Sequence, residues 1–181
     1  MQSAMPLGEG GMLAVLGIET NDMKKIIEEN FNNIKCYLAN DNSNGQLIIS
    51  GKNVELQKFA NLLKEKKIKN IKLPVSAPFH CELMRSASEK MREEIAKIEF
   101  KKPDISIFSN VTAQPINDPN DIKRLLIEQI EKPVRWREII INMIDLKVEK
   151  FIEIGPGKVL SGLVKRINGD IKLIQINDLE D

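Results

Sequence analysis

The chain has 181 residues, enough for one domain of ordinary size or two small ones. Hydrophobic residues make up 42% of it and charged residues 29%, values that exclude a disordered chain, a collagen and a disulfide scaffold. The 27 basic residues balance 26 acidic ones, so no strong net field attracts nucleic acid or an anionic membrane. The composition predicts a soluble globular protein.

The cysteines and the N-terminal residues bear on where the protein works. Cys36 and Cys81 are too few for a secreted disulfide framework, and neither has the spacing of a metal-binding pair. Residues 1–17 contain no lysine or arginine and so do not resemble a signal peptide, and no apolar run approaches the roughly 18 residues of a membrane helix. We therefore expect a reducing, cytoplasmic setting with neither a metal nor a membrane partner.

Strand and helix patterns alternate in the first 75 residues. In chain order they are a strand at 12–16, a helix reaching Phe31 behind a cap at Thr20 or Asn21, strands at 36–39 and 47–49 joined by a turn at 40–46, a helix capped by Asn53, and a strand at 71–75. This βαββαβ order is the ferredoxin-like signature, with two helices on one face of an antiparallel sheet.

Beyond Pro74 the pattern changes to longer helices between short apolar strands. The helical stripes lie at 84–98, 122–130, 136–144 and 160–167, and the strands at 105–107, 151–154 and 173–176. Helices that alternate with apolar strands predict a parallel α/β sheet. Three or four such strands alone would form a thin layer with an exposed edge, so we expect the chain to be part of a larger fold.

The only histidine, His80, follows a predicted strand and a proline turn. Imidazole takes and returns a proton near neutral pH, so His80 is a candidate general base, with a structural histidine as the alternative. Cys81 stands beside it, but adjacent side chains on extended backbone point to opposite sides. A Cys–His nucleophile pair is therefore the weaker interpretation.

A glycine turn and a run of lysines are further candidates for a binding site. Gly155-Pro156-Gly157 lies between a strand and a helix, as phosphate-binding turns do. The Walker pattern is absent and Leu160 stands where the dinucleotide pattern needs glycine, so a structural turn is the favoured interpretation. No serine lies in a Gly-x-Ser-x-Gly elbow, and the lysine run at 64–72 is interpreted as a solvated face.

Taken together, several stretches resemble the malonyl-CoA:acyl carrier protein transacylases. They are Met1-Gln2 with Met5-Pro6 and Gly8-Glu-Gly-Gly-Met12, Asn40-Asp-Asn-Ser-Asn-Gly-Gln46 with Ile49-Ser50-Gly51, Ser76 to His80, Ser109-Asn110-Val111, Gln129 with Pro133-Val134-Arg135-Trp136, and Glu153 to Leu160 with Gly162-Leu163. The resemblance is collinear over essentially the whole chain. It implies a ferredoxin-like small subdomain at 12–75, with 1–11 and 76–181 belonging to a large α/β-hydrolase-like subdomain.

The resemblance implies an activity in fatty acid biosynthesis. A serine takes malonyl from coenzyme A, and the phosphopantetheine thiol of acyl carrier protein removes it, with no further cofactor. His80 matches the base that deprotonates the serine and then the thiol, and Gln129 matches the residue whose main-chain carbonyl orients the imidazole. Phe79 matches a bulky residue that favours malonyl over methylmalonyl. Other positions matched near the substrate cleft are Gln2, Asn40, Asn42 and Asn110.

The family's oxyanion loop, Gly-His-Ser-Leu-Gly elbow and malonate-binding arginine precede the residue matched by Met1. We therefore expect this chain to supply the general-base half and to be inactive alone, unless it complements a separate N-terminal acyltransferase fragment. The implied partner, acyl carrier protein, is acidic, so Lys158, Lys165 and Arg166 are a candidate docking patch. A non-catalytic ferredoxin-like binding or regulatory module stays open as the alternative.

Overall fold

The structure, a computed structural model, describes Pro6 and residues 8–178. The first part of the chain contains strands and helices in the predicted βαββαβ order. These elements are β1 Gly10–Leu16, α1 Thr20–Asn30, β2 Cys36–Ser43, β3 Gln46–Lys52, α2 Asn53–Glu65 and β4 Lys69–Lys72.

The second part begins with a single 3-10 turn at Glu82–Met84 and then alternates helices with short strands. Its elements are α3 Arg85–Ala96, β5 Ile107–Phe108, β6 Pro115–Ile116, α4 Pro119–Glu128, α5 Trp136–Asp145, β7 Lys150–Ile154, α6 Val159–Ile167 and β8 Lys172–Ile176. None of the helices in the described ranges is long and apolar enough to cross a bilayer.

The first four strands form one antiparallel sheet in the order β2-β3-β1-β4. The hairpin between β2 and β3 turns at Asn44 and Gly45, where glycine adopts a φ of 65° that this tight turn requires. The ladder between these strands slips twice, between Leu38 and Asn40 and between Asp41 and Ser43. The outer strand β2 is therefore irregular where it passes the rest of the chain.

Both faces of this sheet are apolar. Under α1 and α2 lies a core in which Phe59, Leu63 and Met23 are fully buried. On the opposite face Met12, Ala39 and Ile48 form a smaller cluster, which is covered by Leu73, Val75 and Phe79. Because the segment after β4 packs on this second face, the sheet fixes the position of the residue that follows Phe79.

The second part of the chain contains two small sheets. Strands β7 and β8 are parallel and connected through α6, as the alternation of helices and strands predicted. The prediction is wrong for the strand at 105–107, because β5 pairs with β6 in a separate antiparallel two-stranded sheet. Parallel strands are normally covered on both faces, yet Ile152 and Ile154 of β7 are 47% and 77% exposed. One face of the β7–β8 layer is therefore uncovered in this structure.

Several sequence predictions of local detail are wrong. Thr20 and Asn53 do not cap their helices but are their first residues, and their side chains donate hydrogen bonds to Asp41 and to the carbonyl of Gly8. The predicted turn at 40–46 is shorter, because β2 continues to Ser43. These polar side chains found tertiary partners that periodicity does not specify.

Strand limits differ as well. The strand predicted at 71–75 ends at Lys72, because Pro74 has no N–H to continue the ladder after Leu73 donates to the carbonyl of Met12. The strand predicted at 105–107 begins only at Ile107, and Ile105 is exposed.

Candidate active site

His80 lies in a loop that is anchored on both sides. The buried Ser50 hydroxyl of β3 donates to the carbonyl of Phe79 at 2.6 Å, and the Cys81 thiol donates to the carbonyl of Pro78 at 3.1 Å. Between these anchors His80 has a φ of 60°, a left-handed conformation that is uncommon for a residue with a side chain. Such strain persists only where surrounding contacts impose it, and it concentrates at functional sites.

The His80 imidazole is oriented by a main-chain carbonyl from α4. Its Nδ1 lies 2.9 Å from the carbonyl oxygen of Gln129, the residue directly after the helix ends. A helix leaves its last carbonyls without intrahelical partners, so an outside donor satisfies this one. Because a carbonyl only accepts, the contact requires the proton on Nδ1, which leaves the Nε2 lone pair available to take a proton.

A second contact to His80 Nδ1 would require the opposite assignment, with no proton on this nitrogen. The Gln129 side-chain Nε2 lies 3.3 Å from His80 Nδ1, and two N–H groups cannot share one hydrogen bond. The main-chain carbonyl is the nearer partner of Nδ1, at 2.9 Å against 3.3 Å, and the side-chain Nε2 has a closer acceptor of its own in the Lys132 carbonyl at 2.9 Å. We therefore assign the His80 hydrogen bond to the main-chain carbonyl.

Neither cysteine is suited to be a nucleophile. Burial raises the pKa of the Cys81 thiol to about 11 and that of Cys36 to about 12. The thiolate is the reactive form, so both groups are almost entirely protonated near neutral pH. The interpretation of Cys81 and His80 as a catalytic pair is not supported.

Phe79 and His80 line different cavities. Phe79 packs on the apolar cluster of Met12, Ala39 and Ile48 and lines a cavity of about 630 Å³ together with Leu73 and Val75. His80 lines a cavity of about 350 Å³ between α1, the start of β2 and residues 131–133. The loop therefore presents an apolar ring and an imidazole toward separate spaces.

The other predicted site residues gather around the segment 129–135, except for two. Asn40 forms an isolated parallel bridge with Val134, and the main-chain carbonyl of Asn110 accepts from the N–H of Arg135 at 3.2 Å. Asn42 lies farther along β2 in its irregular stretch. Gln2 lies outside the described residues.

An ion pair at this junction was not predicted. The buried Asp41 carboxylate accepts from Arg137 Nε at 2.9 Å and from Nη2 at 2.8 Å, and also from the Thr20 hydroxyl at 3.0 Å. Asp41 raises the pKa of the Arg137 guanidinium. The partners are 96 residues apart in sequence, so no local pattern signals the pair.

The glycine turn at 155–157 does not offer an anion site. The Glu153 carboxylate, at the end of β7, accepts from the N–H of Leu160 at 3.0 Å and of Ser161 at 2.7 Å. These are the helix N-terminal N–H groups that a phosphate would use. A side chain of the protein occupies them, which favours the predicted structural turn. No group of three or more potential metal ligands exists in the described part of the chain.

The contact of the Glu153 carboxylate with the start of α6, here called the Glu153 cap, should make the stability of the fold depend on pH. The Ser161 hydroxyl, followed by the N–H groups of Ser161 and Leu160, holds the pKa of Glu153 below its ordinary value of 4.5. Because the pKa of Glu153 is lower in the folded than in the unfolded state, its ionised form stabilises the fold at pH values above the ordinary pKa. This stabilisation is lost as the pH falls through the lowered, folded-state pKa. We expect Glu153→Gln to unfold at a lower temperature near neutral pH, in scans followed by circular dichroism. The difference from the unchanged protein should close below pH 4.5, and a difference independent of pH would contradict the cap.

Comparison with known proteins defines the class. The acyl transferase domain family matches residues 1–171. The chain therefore belongs to the acyl transferase domain family.

Within that family its relatives are malonyl transacylases, which confirms the resemblance drawn from the motifs. The malonyl CoA-acyl carrier protein transacylase of Bacillus subtilis is 44% identical over 184 residues, covering 99% of this chain and 57% of the relative. That of Haemophilus influenzae is 36% identical, covering 99% and 58%. The chain thus spans somewhat more than half the length of the curated relatives it matches.

Solved structures agree. The Clostridium perfringens malonyl CoA-acyl carrier protein transacylase superposes with a TM-score of 0.95 at 42% identity, covering 99% of this chain and 57% of that one. A malonyl-transacylase solved in complex with its type II polyketide acyl-carrier protein matches with a TM-score of 0.92 at 31% identity, covering 99% of this chain and 58% of that one. The α/β fold is that of the malonyl transacylases.

Proposed function

We propose that this chain is the part of a malonyl-CoA:acyl carrier protein transacylase that holds the general base, His80. The observation that carries the proposal is the 2.9 Å contact between His80 Nδ1 and the Gln129 carbonyl. It leaves Nε2 as the proton acceptor, as the third member of a catalytic triad does for the histidine of that triad.

In the proposed reaction, His80 Nε2 takes the proton of a serine hydroxyl while the serine oxygen attacks the thioester carbonyl of malonyl-CoA. The bond to sulfur breaks, and the imidazolium returns the proton to the leaving coenzyme A thiol. His80 then takes the proton of the phosphopantetheine thiol, whose sulfur attacks the serine ester, and protonates the departing serine oxygen. The pantetheine belongs to the carrier protein, so the chain needs no cofactor of its own.

The nucleophile of this reaction is proposed to come from polypeptide beyond these 181 residues, in one longer chain or in a separate N-terminal fragment. The uncovered face of β7, with Ile152 and Ile154 exposed, supports a further layer of acyltransferase structure at this place. By this proposal residues 1–181 alone transfer little malonyl, because the oxyanion donors and the carboxylate clamp are needed as well.

The resemblance to the malonyl transacylases also suggests which residues contact the substrate. Phe79, directly before His80 in the chain, is proposed to restrict the acyl pocket to malonyl, because its aromatic bulk disfavours a branched acyl group. Asn40, Asn42, Asn110 and Gln2 are proposed to lie along the substrate cleft. The sheet order β2-β3-β1-β4 with both helices on one face supports a ferredoxin-like small subdomain.

The proposed protein partner is acyl carrier protein. Lys158, Lys165 and Arg166 are exposed at α6 and form the proposed contact with its acidic surface, although Arg166 also donates to the Gln46 side chain. The acyl transferase match extends through both parts of the chain, which supports acyl transfer over a separate ferredoxin-like binding module.

The experiment is a chimera in which this chain is joined to the part of the Bacillus subtilis relative that it does not cover. Purified chimera is mixed with malonyl-CoA and pantetheinylated acyl carrier protein, and malonyl carrier is measured by mass spectrometry. We expect transfer by the chimera, and at least about a hundredfold less by residues 1–181 alone. A folded chimera with no transfer above the isolated chain would refute the function.

A further inference from the structure

We propose that the ion pair of Asp41 and Arg137 positions the His80 imidazole, by fixing the segment 129–135 that carries the Gln129 carbonyl. The consequence for catalysis rests on the proposed function, whereas the orientation of the ring is a property of the chain alone. Neither side chain takes part in proton transfer. Both are positioning residues that act through the backbone between them and the ring.

The ion pair of Asp41 and Arg137 has a fixed geometry and is poorly accessible to water. Arg137 donates through Nε and Nη2 to the two Asp41 oxygens, a bidentate arrangement that fixes both direction and distance. The Asp41 side chain is only 10% exposed and that of Arg137 25%, so water screens the pair weakly. The Thr20 hydroxyl donates to the same carboxylate and satisfies a further lone pair.

Beside the ion pair, main-chain hydrogen bonds join β2 to the segment 129–135. The N–H of Asp41 donates to the carbonyl of Val134 at 2.9 Å, and the N–H of Val134 donates to the carbonyl of Ala39 at 2.8 Å. These two bonds add the segment 129–135 to the edge of β2. They fall where the β2–β3 ladder is irregular, and so add main-chain pairing to β2 at the place where that ladder is interrupted. The ion pair ties this irregular edge to the first turn of α5.

The segment 129–135 is in turn connected to the His80 ring. At its N-terminal side, the Gln129 side chain donates to the carbonyl of Lys132 at 2.9 Å, which couples the end of α4 to the segment. The Gln129 carbonyl then accepts from His80 Nδ1. If the segment moves away from β2, this carbonyl moves with it, and Nδ1 loses the acceptor that keeps its proton in place.

The test uses the fact that His80 is the only histidine. The 181-residue chain is labelled with ¹⁵N-histidine, and long-range ¹H–¹⁵N correlation spectra report which ring nitrogen carries the proton. We expect Asp41→Asn and Arg137→Met each to lower the fraction protonated at Nδ1 by about twofold or more. The double variant should match the single ones, because either change removes the same pair.

Arg124→Met is the matched control. Arg124 forms ion pairs with Asp121 and Glu128, but both partners lie on α4 itself, so these pairs join the helix to itself and not to β2. The control should keep the tautomer of the unchanged protein. The proposal is overturned if folded Asp41→Asn and Arg137→Met also keep that tautomer, or if Arg124→Met shifts it equally.

Arg137→Lys keeps the test decisive if the stronger variants unfold, as judged by circular dichroism. Lysine retains the charge but not the bidentate geometry, so an intermediate tautomer fraction is expected and an unchanged one overturns the proposal. Failure of the positioning role is distinct from failure of the proposed function. The former appears in the ring tautomer of this chain, and the latter in malonyl transfer by the chimera.

Discussion

Replacing His80 with alanine lowers malonyl transfer by the chimeric enzyme by about 10²–10⁴-fold, the range in which a positioned general base contributes. Without the imidazole, the serine hydroxyl loses its proton acceptor in the first half of the reaction, and the pantetheine thiol loses its acceptor in the second. Both half-reactions should slow, whereas binding of malonyl-CoA should change little. Single-turnover formation of the malonyl-enzyme and its discharge to carrier protein measure the two halves separately.

Cys81→Ser is the matched control for this prediction. Serine keeps a donor for the Pro78 carbonyl and so preserves the loop anchor, while removing the neighbouring thiol. A protonated, buried thiol performs no chemistry here, and we expect a rate within about threefold of the unchanged chimera. A His80→Ala chimera that transfers malonyl as fast as the Cys81→Ser one would remove the proposed base from the mechanism.

The largest effect on stability is expected from Phe59→Ala, at about 3–5 kcal/mol of unfolding free energy. Phe59 lies on α2 with its ring fully buried among Leu13, Val15, Leu47 and Leu63, in the core between the helices and the sheet. Alanine removes the ring's contacts and leaves a cavity that β1 and β3, which pair along their length, cannot close by local movement. Urea unfolding followed by circular dichroism gives the free energy from its midpoint and slope.

Val54→Ala on the same helix is the comparison. Val54 is 68% exposed, so its truncation creates no cavity, and alanine suits a helix better than valine. We expect a change within about 0.5 kcal/mol in either direction. Equal losses in the two variants would mean that the cluster around Phe59 is not the core that stabilises the sheet.

Much of the fold follows from periodicity. The alternation of apolar residues in the first part of the chain predicts four strands and two helices in the observed order, and the Asn44-Gly45 turn places the hairpin. The parallel pairing of β7 and β8 follows from two apolar runs separated by a helix. Each of these signals depends on neighbours in sequence, which is why a single sequence carries them.

Other features depend on residues that are distant in sequence. Met91 lies on the predicted apolar stripe of α3 but is 45% exposed, because periodicity identifies an apolar face and not what covers it. Ile98, predicted on the same stripe, lies beyond the end of α3 at Ala96 and is 53% exposed. The two-residue strand β6 is too short to leave a pattern. The pair of Asp41 and Arg137 joins an irregular strand to the start of a helix, and neither residue type is unusual at its position.

The candidate site was predicted from a family resemblance and not from periodicity. Residue chemistry alone leaves His80 open between a base and a structural histidine, and nothing local connects it with Gln129, 49 residues away. The connection came from the resemblance of ordered motifs to the malonyl transacylases, and the structure contains the contact that this resemblance implies. The left-handed backbone of His80 was not foreseen, because it is imposed by Ser50 and by the packing of Phe79.

The proposed function depends on the Gln129 carbonyl holding the His80 proton on Nδ1, which leaves Nε2 free to act as a base. Long-range ¹H–¹⁵N correlation on the unchanged, histidine-labelled chain measures this directly, since a single imidazole contributes to the spectrum. We expect a protonated Nδ1 and an unprotonated Nε2 at a pH where the ring is neutral. A spectrum in which the proton lies on Nε2 would rule out this orientation of the ring.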